Sequence, residues 1–359
     1  MHSWPAILLM LPEIGTSDAR YSVSNSGARM QIIDIYTHIL PDTFFAELQK
    51  TSANLGAIGS RLRGIKPLFD LDLRFRQMDA AGPGYQQIIS LPNPPIEDIA
   101  TAEVATHLCR VANDAMSDLC SRYRDRFPTF AATINMLDVE AAVDEGRRAV
   151  KDLGARGFQI FTNVAGRPLD DPRYWPVFAL AAELDLPIWL HPARTASAAD
   201  YASESKSRFE MWWCFGWPYE TSVAMARLVF SGVFDRHPKL KIITHHCGGM
   251  IPTYDGRIGP GLAVLGSRTQ DEDYSHVLAS LKRPHLEYFR EFYGDTAMFG
   301  GTSGLASGLR FFGADHVVFA TDAPLGPISE SIAALRKEGL SPADLEKVMS
   351  GNAKRLLRL

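Results

Sequence analysis

The sequence predicts an α/β chain wound as a (β/α)8 barrel, with an insertion after the first strand that would form a lid over the barrel mouth. Three observations predict this. Eight strand-length apolar runs recur along the chain, each followed by a helical pattern. The runs do not alternate polar and apolar cleanly, as expected of strands buried on both faces of a parallel sheet. The 359 residues also exceed the roughly 250 that such a barrel needs. A doubly wound open sheet is the structural alternative, but no G-x-G-x-x-G turn follows the first run.

In chain order the runs are QIIDIY (31–36), QQIISL (86–91), TFAATI (129–134), RGFQIF (156–161), LPIWLH (186–191), LKIITH (240–245), EFYGD (291–295) and HVVFAT (316–321). The helical stretches between them carry their own start and stop signals. DVEAAVDEGRRAVKDLG opens on Asp138 as N-cap and closes on Gly154. DPRYWPVFALAAELDL and ETSVAMARLVFSGVFDRHP read the same way, Glu220 standing in the first turn of the second. SPADLEKVMSGNAKRLLRL starts with Ser341 as cap and Pro342 at the first helical position. The segment 39–85 is too long for an ordinary loop and supplies the lid.

Bulk composition narrows the function. The chain is 46% hydrophobic and 22% charged, with a formal net charge of −4 and both signs dispersed. No basic stripe points to nucleic acid or an anionic membrane. The cysteines Cys109, Cys120, Cys214 and Cys247 form no C-x-x-C pair and require no oxidising compartment, so the expected location is the cytoplasm. Residues 1–29 are expected to be a disordered extension, with a secretory signal as the minor alternative. Residues 30–359 then form one domain.

In a barrel of parallel strands the strand C-termini share one mouth. Strand one delivers Asp34, Tyr36 and His38 there, strand five His191, strand six His245 and His246, strand seven Asp295, and strand eight Asp322. Three or four of these converging make a nitrogen–oxygen site suited to Zn²⁺ or Mn²⁺. Taken singly, each has a plainer reading as a capping or hydrogen-bonded residue. His245 in particular is expected to turn away from His246, because neighbours on a strand face opposite sides. Arg194, just after His191, lies where a carboxylate can be gripped in bidentate fashion, or else is a solvated residue of the mouth. The aromatic RFEMWWCFGWP, within the loop 195–218, suits either stacking on a flat ring or a subunit interface.

The motifs IIDIYTHILP, RFRQMDAAG, DPRYWPVFALAAELDLPIWLHP, GVFDRHPKLKIITHHCGGMIPTYDGRI, VVFATDAP and GNAKRLL occur in this order. With them the chain from about Met30 onward resembles the amidohydrolase superfamily. The likeness is to the branch of 2-amino-3-carboxymuconate 6-semialdehyde decarboxylase and the hydroxybenzoate-type decarboxylases. That resemblance implies a distorted (β/α)8 barrel with one divalent metal, Zn²⁺ or Mn²⁺. It implies His38, His191 and Asp322 as ligands, and His246 as a catalytic histidine that does not bind the metal. Arg74 and Arg257 match arginines that hold the substrate carboxylate, the second supplied by a neighbouring subunit, which implies a homodimer or higher homo-oligomer.

Tyr36 departs from the pattern, which has His or Glu there. Three readings stand: an outer-shell Tyr36 beside a metal on the other three ligands, a phenolate ligand, or a site without metal. The first is adopted because three protein ligands already make a working site. On that reading Tyr36 belongs with His246 and Asp322 among the catalytic residues and acts through its hydroxyl. The expected activity is non-oxidative decarboxylation of a small aromatic or unsaturated carboxylic acid. A hydrolase or hydratase of a small carboxylate or lactone is the first alternative, and a metal-free lyase or binding protein the second. The two-metal hydrolase arrangement is disfavoured, since strand four ends in QIFTN without the lysine that bridges such metals.

Overall fold

The computed structural model describes residues 30–51 and 61–359. All eight expected runs form strands: β1 (Ile32–His38), β2 (Tyr85–Ser90), β3 (Ala132–Thr133), β4 (Phe158–Phe161), β5 (Ile188–His191), β6 (Ile242–Thr244), β7 (Tyr293–Asp295) and β8 (Val317–Val318). They pair in parallel as β1–β2 and as a six-stranded sheet running from β3 to β8 in chain order. Hydrogen bonds also join the two sheets. Ile89 bridges Phe130 before β3, and the Ile35 N–H donates to the Phe319 carbonyl at 2.9 Å beyond β8. A short antiparallel hairpin, Asn163–Val164 with Arg167–Pro168, follows β4 and was not anticipated from the sequence.

Side-chain alternation divides the core in two. Ile188 and Leu190 join the large cluster that the helices cover, while Trp189 between them joins a smaller one with Ile33, Ile88, Ile243 and Val318. Each successive strand residue turns to the opposite face, so both faces bury apolar surface. Trp189 satisfies its indole by donating to the Ile35 carbonyl at 2.9 Å.

The helices begin where their caps predict. Asp138 accepts from the Ala141 N–H at 3.1 Å and opens Val139–Asp152. Ser341 accepts from the Asp344 N–H at 3.1 Å and opens Pro342–Glu346. One start was misplaced. The helix expected to begin near Glu220 begins at Gly216, and the Glu220 carboxylate serves instead as acceptor for Arg194, at 3.0 Å. Of the segment 39–85, Asp42–Thr51 and Leu71–Ala81 are helical. The extension expected over residues 1–29 lies outside the described residues.

Strand β1 carries a register shift between Asp34 and Thr37. An extra residue in one strand re-aims the side chains beyond it, and here the neighbours Ile35 and Tyr36 both enter the smaller cluster. Asp34 is thereby turned away from the mouth where the sequence had placed it. It accepts from Tyr85 Oη at 2.5 Å and from the Thr321 N–H at 3.0 Å. Gln87 Nε2 donates to Tyr85 Oη at 3.1 Å and Gln87 Oε1 accepts from Arg74 Nε at 2.8 Å.

Arg74 completes this network and corrects a second expectation. Its remaining nitrogens donate to the His38 carbonyl at 2.5 Å and to Thr37 Oγ1 at 3.1 Å, and the residue is 1% exposed. Every guanidinium nitrogen is committed within the protein, so Arg74 clamps β1 to β2 rather than presenting itself to a substrate. Burial lowers its pKa to about 10, partly offset by the nearby Tyr85 and Asp34.

Two outcomes follow. Arg74→Lys should lose about 2–5 kcal/mol of unfolding free energy, since a lysine leaves one or more buried acceptors unpaired at about 1–3 kcal/mol each. Denaturant titration measures this, and unchanged stability with a raised KM would restore the substrate role. Burial, against the Thr321 and Tyr85 hydrogen bonds, raises the Asp34 pKa from 3.8 to about 7. Between those values the folded chain holds a proton that the unfolded chain releases, so stability falls as pH rises through that window. Asp34→Asn should flatten that slope in melting temperature against pH.

Candidate metal and active site

Because the strands are parallel, their C-terminal ends bring the candidate residues together. His38 ends β1, His191 ends β5, His245 and His246 follow β6, Asp295 ends β7 and Asp322 lies just beyond β8. The His38 and His191 ring centroids are 5.3 Å apart. Asp322 Oδ1 lies 3.0 Å from His38 Nε2 and 3.5 Å from His245 Nε2. His38, His191 and His245 each offer a ligand atom within 4.8 Å of the others, and so do His245, His246 and Asp322.

All four imidazoles are anchored through the same nitrogen. Nδ1 of His38 meets the Leu91 carbonyl at 3.1 Å, that of His191 the Pro192 carbonyl at 2.8 Å, and that of His246 the Ala297 carbonyl at 2.7 Å. His245 Nδ1 meets the Asp295 carboxylate at 2.5 Å. Each Nδ1–H therefore donates to a fixed acceptor, which leaves Nε2 as the ring atom available to the mouth. The Asn93 amide steadies the His191 end by donating to the Pro192 carbonyl at 3.1 Å. His38 Nε2, His245 Nε2, Asp322 Oδ1 and the Tyr36 hydroxyl are buried with no hydrogen-bond partner among the described residues. Such atoms are costly to bury; those of His38 and His245 both lie within 3.5 Å of Asp322 Oδ1, and a divalent cation satisfies that donor set.

His245 corrects the expectation that it would turn away from His246. Its ring stacks on that of His246 at 3.8 Å, inclined by 27°. The reason is local backbone. β6 ends at Thr244 and His245 stays extended, but His246 and Cys247 adopt left-handed φ of 52° and 55°, so His246 is turned back beside His245 and strand alternation no longer applies. Asp322 and Phe299 are left-handed too, at 65° and 53°. Each such residue costs on the order of 1–2 kcal/mol, and all four lie at this mouth. The turn after His246 also needs glycine: at Gly249, with φ of 62°, a Cβ would lie 2.4 Å from the Pro218 carbonyl oxygen.

Electrostatics follow from burial and neighbours. Burial alone would raise the Asp322 pKa, but the His245 and His38 imidazoles outweigh it and hold the carboxyl well below its usual range. Burial would lower His245, yet Asp295 and Asp322 lift it to about 9. His246 is lowered to about 4, first by burial and then by the His245 charge. His191 falls well below its ordinary value through burial and the other two imidazoles. Tyr36 is pushed well above its ordinary value by burial and by the charges of Asp295 and Asp322. Its spacing from His38 does place both at the site. The Tyr36 ring lies 5.5 Å from that of His38 and 4.0 Å from that of His245.

A cavity of about 180 Å³ opens beside these groups, lined by Arg61, Trp213, Trp217, His246, Phe299 and Asp322 among others. A second, of about 110 Å³, shares Arg61, Trp213, Trp217 and Asp322 with it and reaches His191 and Asn93. Trp217 is parallel to the His246 ring at 6.4 Å, so the aromatic loop contributes walls to the site. Two larger depressions, one around Tyr85 and Arg126 and one around Leu40 and Val111, include none of these groups. Arg194 and the exposed Arg257 do not line either site cavity. Of the residues now at the site, Asn93 and Arg61 carried no signal in the sequence. Asp295 did, as the polar end of an apolar strand.

The amidohydrolase family model matches residues 33–359. A gamma-resorcylate decarboxylase of Polaromonas sp. is 33% identical over 296 residues, covering 80% of this chain and 87% of the relative. The 2-amino-3-carboxymuconate-6-semialdehyde decarboxylase of Dictyostelium discoideum is 27% identical over 345 residues, covering 91% of each chain. A crystal structure of 2,6-dihydroxybenzoate decarboxylase with 2,6-dihydroxybenzoate superposes with a TM-score of 0.75 at 28% identity, over 92% of this chain and 100% of the other. The dihydroxybenzoic acid decarboxylase of Polaromonas sp., with bound manganese and the inhibitor 2-nitroresorcinol, gives a TM-score of 0.71 at 28% identity, over 92% and 97%. With its matched motifs, its parallel sheet and its cluster of imidazoles around one carboxylate, this chain belongs to the amidohydrolase family, on the branch that holds these decarboxylases.

Proposed function

We propose that the chain is a metal-dependent, non-oxidative decarboxylase, a carboxy-lyase acting on a small aromatic or unsaturated carboxylic acid. One observation carries the reading. Buried polar atoms of His38, His245 and Asp322, free of hydrogen bonds among the described residues, sit beside a slot walled by Trp213, Trp217 and Phe299. The slot has the scale of a single ring, since a cavity of about 150 Å³ holds benzene. The named activities of the relatives support the same reaction class.

His38, His191 and Asp322 would hold one divalent ion, Zn²⁺ or Mn²⁺; the manganese in the Polaromonas structure supports the second. When bound, the ion supplies a Lewis-acid grip on the substrate's carboxylate and adjacent oxygen. The protein's own groups do the rest. In decarboxylation the carbon–carbon bond breaks, carbon dioxide leaves and the carbon takes a proton. His246 and Asp322 line the slot and can carry that proton. With its basicity held down to about 4, His246 gives up a proton readily once it has accepted one. The tryptophans orient the flat ring and exclude water.

The wider reading goes with this one. Residues 30–359 form a single domain, and the β1–β2 and six-stranded sheets close into one barrel, supported by the hydrogen bonds at both junctions. The segment 39–85 acts as a lid, supported by Arg61 and Leu62 at the cavity wall. Arg194, paired with Glu220, stays a secondary candidate for substrate binding. Arg257, exposed and away from its own cavity, reaches the site of a second copy in a homodimer. Among the described residues no helix is long and apolar enough to cross a membrane. Four cysteines without a disulfide support a cytoplasmic location.

Purified chain loaded with Mn²⁺ or Zn²⁺ should release carbon dioxide from one or more members of a panel of hydroxybenzoates and muconate semialdehydes. His191→Ala should abolish both metal content and release. Full activity in that variant, or active protein without metal by elemental analysis, would overturn the reading. For assembly, mixing Arg257→Ala with His246→Ala chains should restore part of the activity lost in each, because one site of a two-fold mixed dimer is intact. No recovery, or a fully active monomer, would remove the shared-arginine reading.

A further inference from the structure

We infer that His245 is a fourth protein ligand of the metal and takes over the ligand role that Tyr36 has vacated. The inference rests on the metal site proposed above and adds a residue to it. His245 is the one residue common to both groups of ligand atoms at the mouth, the one with His38 and His191 and the one with His246 and Asp322. It therefore sits at the centre of the donor set. Its Nε2 is fully buried, has no hydrogen-bond partner among the described residues and lies 3.5 Å from Asp322 Oδ1. The matching separation for His38 Nε2 is 3.0 Å. Two ligands that share an ion through bonds of about 2.0–2.2 Å stand roughly 3–3.6 Å apart, so both contacts have the length of an edge of one coordination shell.

The support around the ring is of the same kind. Asp295 takes the Nδ1–H at 2.5 Å and is itself fixed by the Ala297 N–H at 3.0 Å. A carboxylate behind a histidine fixes the ring's tautomer and aims its lone pair at the metal. Among the four imidazoles, His245 alone is backed by a carboxylate; His38, His191 and His246 are anchored on carbonyls.

Tyr36 explains why this ligand is needed. Its ring lies against that of His245, with centroids 4.0 Å apart, and its hydroxyl accepts or donates no hydrogen bond among the described residues. The phenol stands two residues before His38 in β1 and packs against the His245 ring at a tilt of 38°. One residue has moved out of the coordination shell and another, from β6, has moved in.

Metal affinity tests this without reference to turnover. The apo chain, prepared with a chelator, is titrated with Mn²⁺ and with Co²⁺ in competition with a chromophoric chelator, and the visible spectrum of the Co²⁺ form is recorded. His245→Ala and the space-filling His245→Gln should each weaken binding by more than about 100-fold and change the Co²⁺ spectrum. Asp295→Asn should weaken it about 10–100-fold, as loss of a supporting carboxylate does. Tyr36→Phe should leave affinity and spectrum unchanged. Tyr36→His combined with His245→Gln should recover part of the lost affinity by returning the ligand to β1. Wild-type affinity and an unchanged spectrum in both His245 variants would overturn the inference, provided His191→Ala loses the metal. If His191→Ala also binds like the wild type, the metal site proposed above is what fails. Should the His245 variants not fold, pulsed electron paramagnetic resonance of the Mn²⁺-loaded His246→Gln chain with ¹⁵N-labelled histidine decides. Three coordinated imidazoles are expected, and two would overturn it.

Discussion

Asp322 holds a carboxylate with 5% of its side chain exposed, 3.0 Å from one imidazole and 3.5 Å from another, and the mouth of the sheet is organised around keeping it there. A buried charge is tolerable only when its partners are fixed. The partners are fixed here by parallel strands that end at one level, and by an acceptor on each histidine Nδ1 that removes the choice of tautomer. The left-handed turns at His246–Cys247 and at Asp322 have the same function. They abandon regular strand geometry at the points where a side chain has to be aimed, and the backbone cost is offset by the packing beneath them.

The register shift in β1 divides two kinds of polar residue that the linear sequence mixes. Before it, Asp34 enters a network with Tyr85, Gln87 and Arg74 that ties β1, β2 and the helix Leu71–Ala81 together. Within it and beyond it, Tyr36 and His38 face the histidine cluster. The two halves meet in Arg74, whose guanidinium grips the His38 carbonyl. Stability and chemistry are thus coupled through one backbone oxygen: the group that positions the His38 main chain is the group that holds the strands together.

Much of this was legible because burial leaves a strong imprint on composition. Ile, Val and Phe runs marked all eight strands, and Asp138 and Ser341 marked helix starts because capping is a local, short-range interaction. His38, His191, His246 and Asp322 could be placed at one mouth from strand polarity alone. What escaped depends on long-range or backbone detail. The bulge that removes Asp34 from the site is a single extra residue with no compositional mark. The reversal that brings His245 beside His246 lies in φ angles that the string THHCGG does not spell out. Arg74 looked like a substrate arginine because its motif resembled one, whereas its acceptors come from β1 and β2, as far as 37 residues away in sequence. Glu220 looked like a first-turn carboxylate because nothing nearby signalled the earlier start at Gly216.

Tyr36 posed the question of a metal site with one ligand missing, and the geometry recasts it. A ligand set at the mouth of parallel strands is not tied to one strand, since each strand end delivers a side chain to the same small volume. What has to be conserved physically is the number and aim of lone pairs around a point, together with an acceptor behind each imidazole. At β1 burial and the charges of Asp295 and Asp322 push the Tyr36 phenol further from ionisation. After β6, His245 continues the extended strand into the mouth, where Asp295 receives its Nδ1–H, and the left-handed turn folds His246 back beside it. The tyrosine in β1 and the second histidine after β6 are therefore read most economically together. The Tyr36 ring, 4.0 Å from that of His245 and tilted by 38°, supports by packing the imidazole inferred to bind the ion.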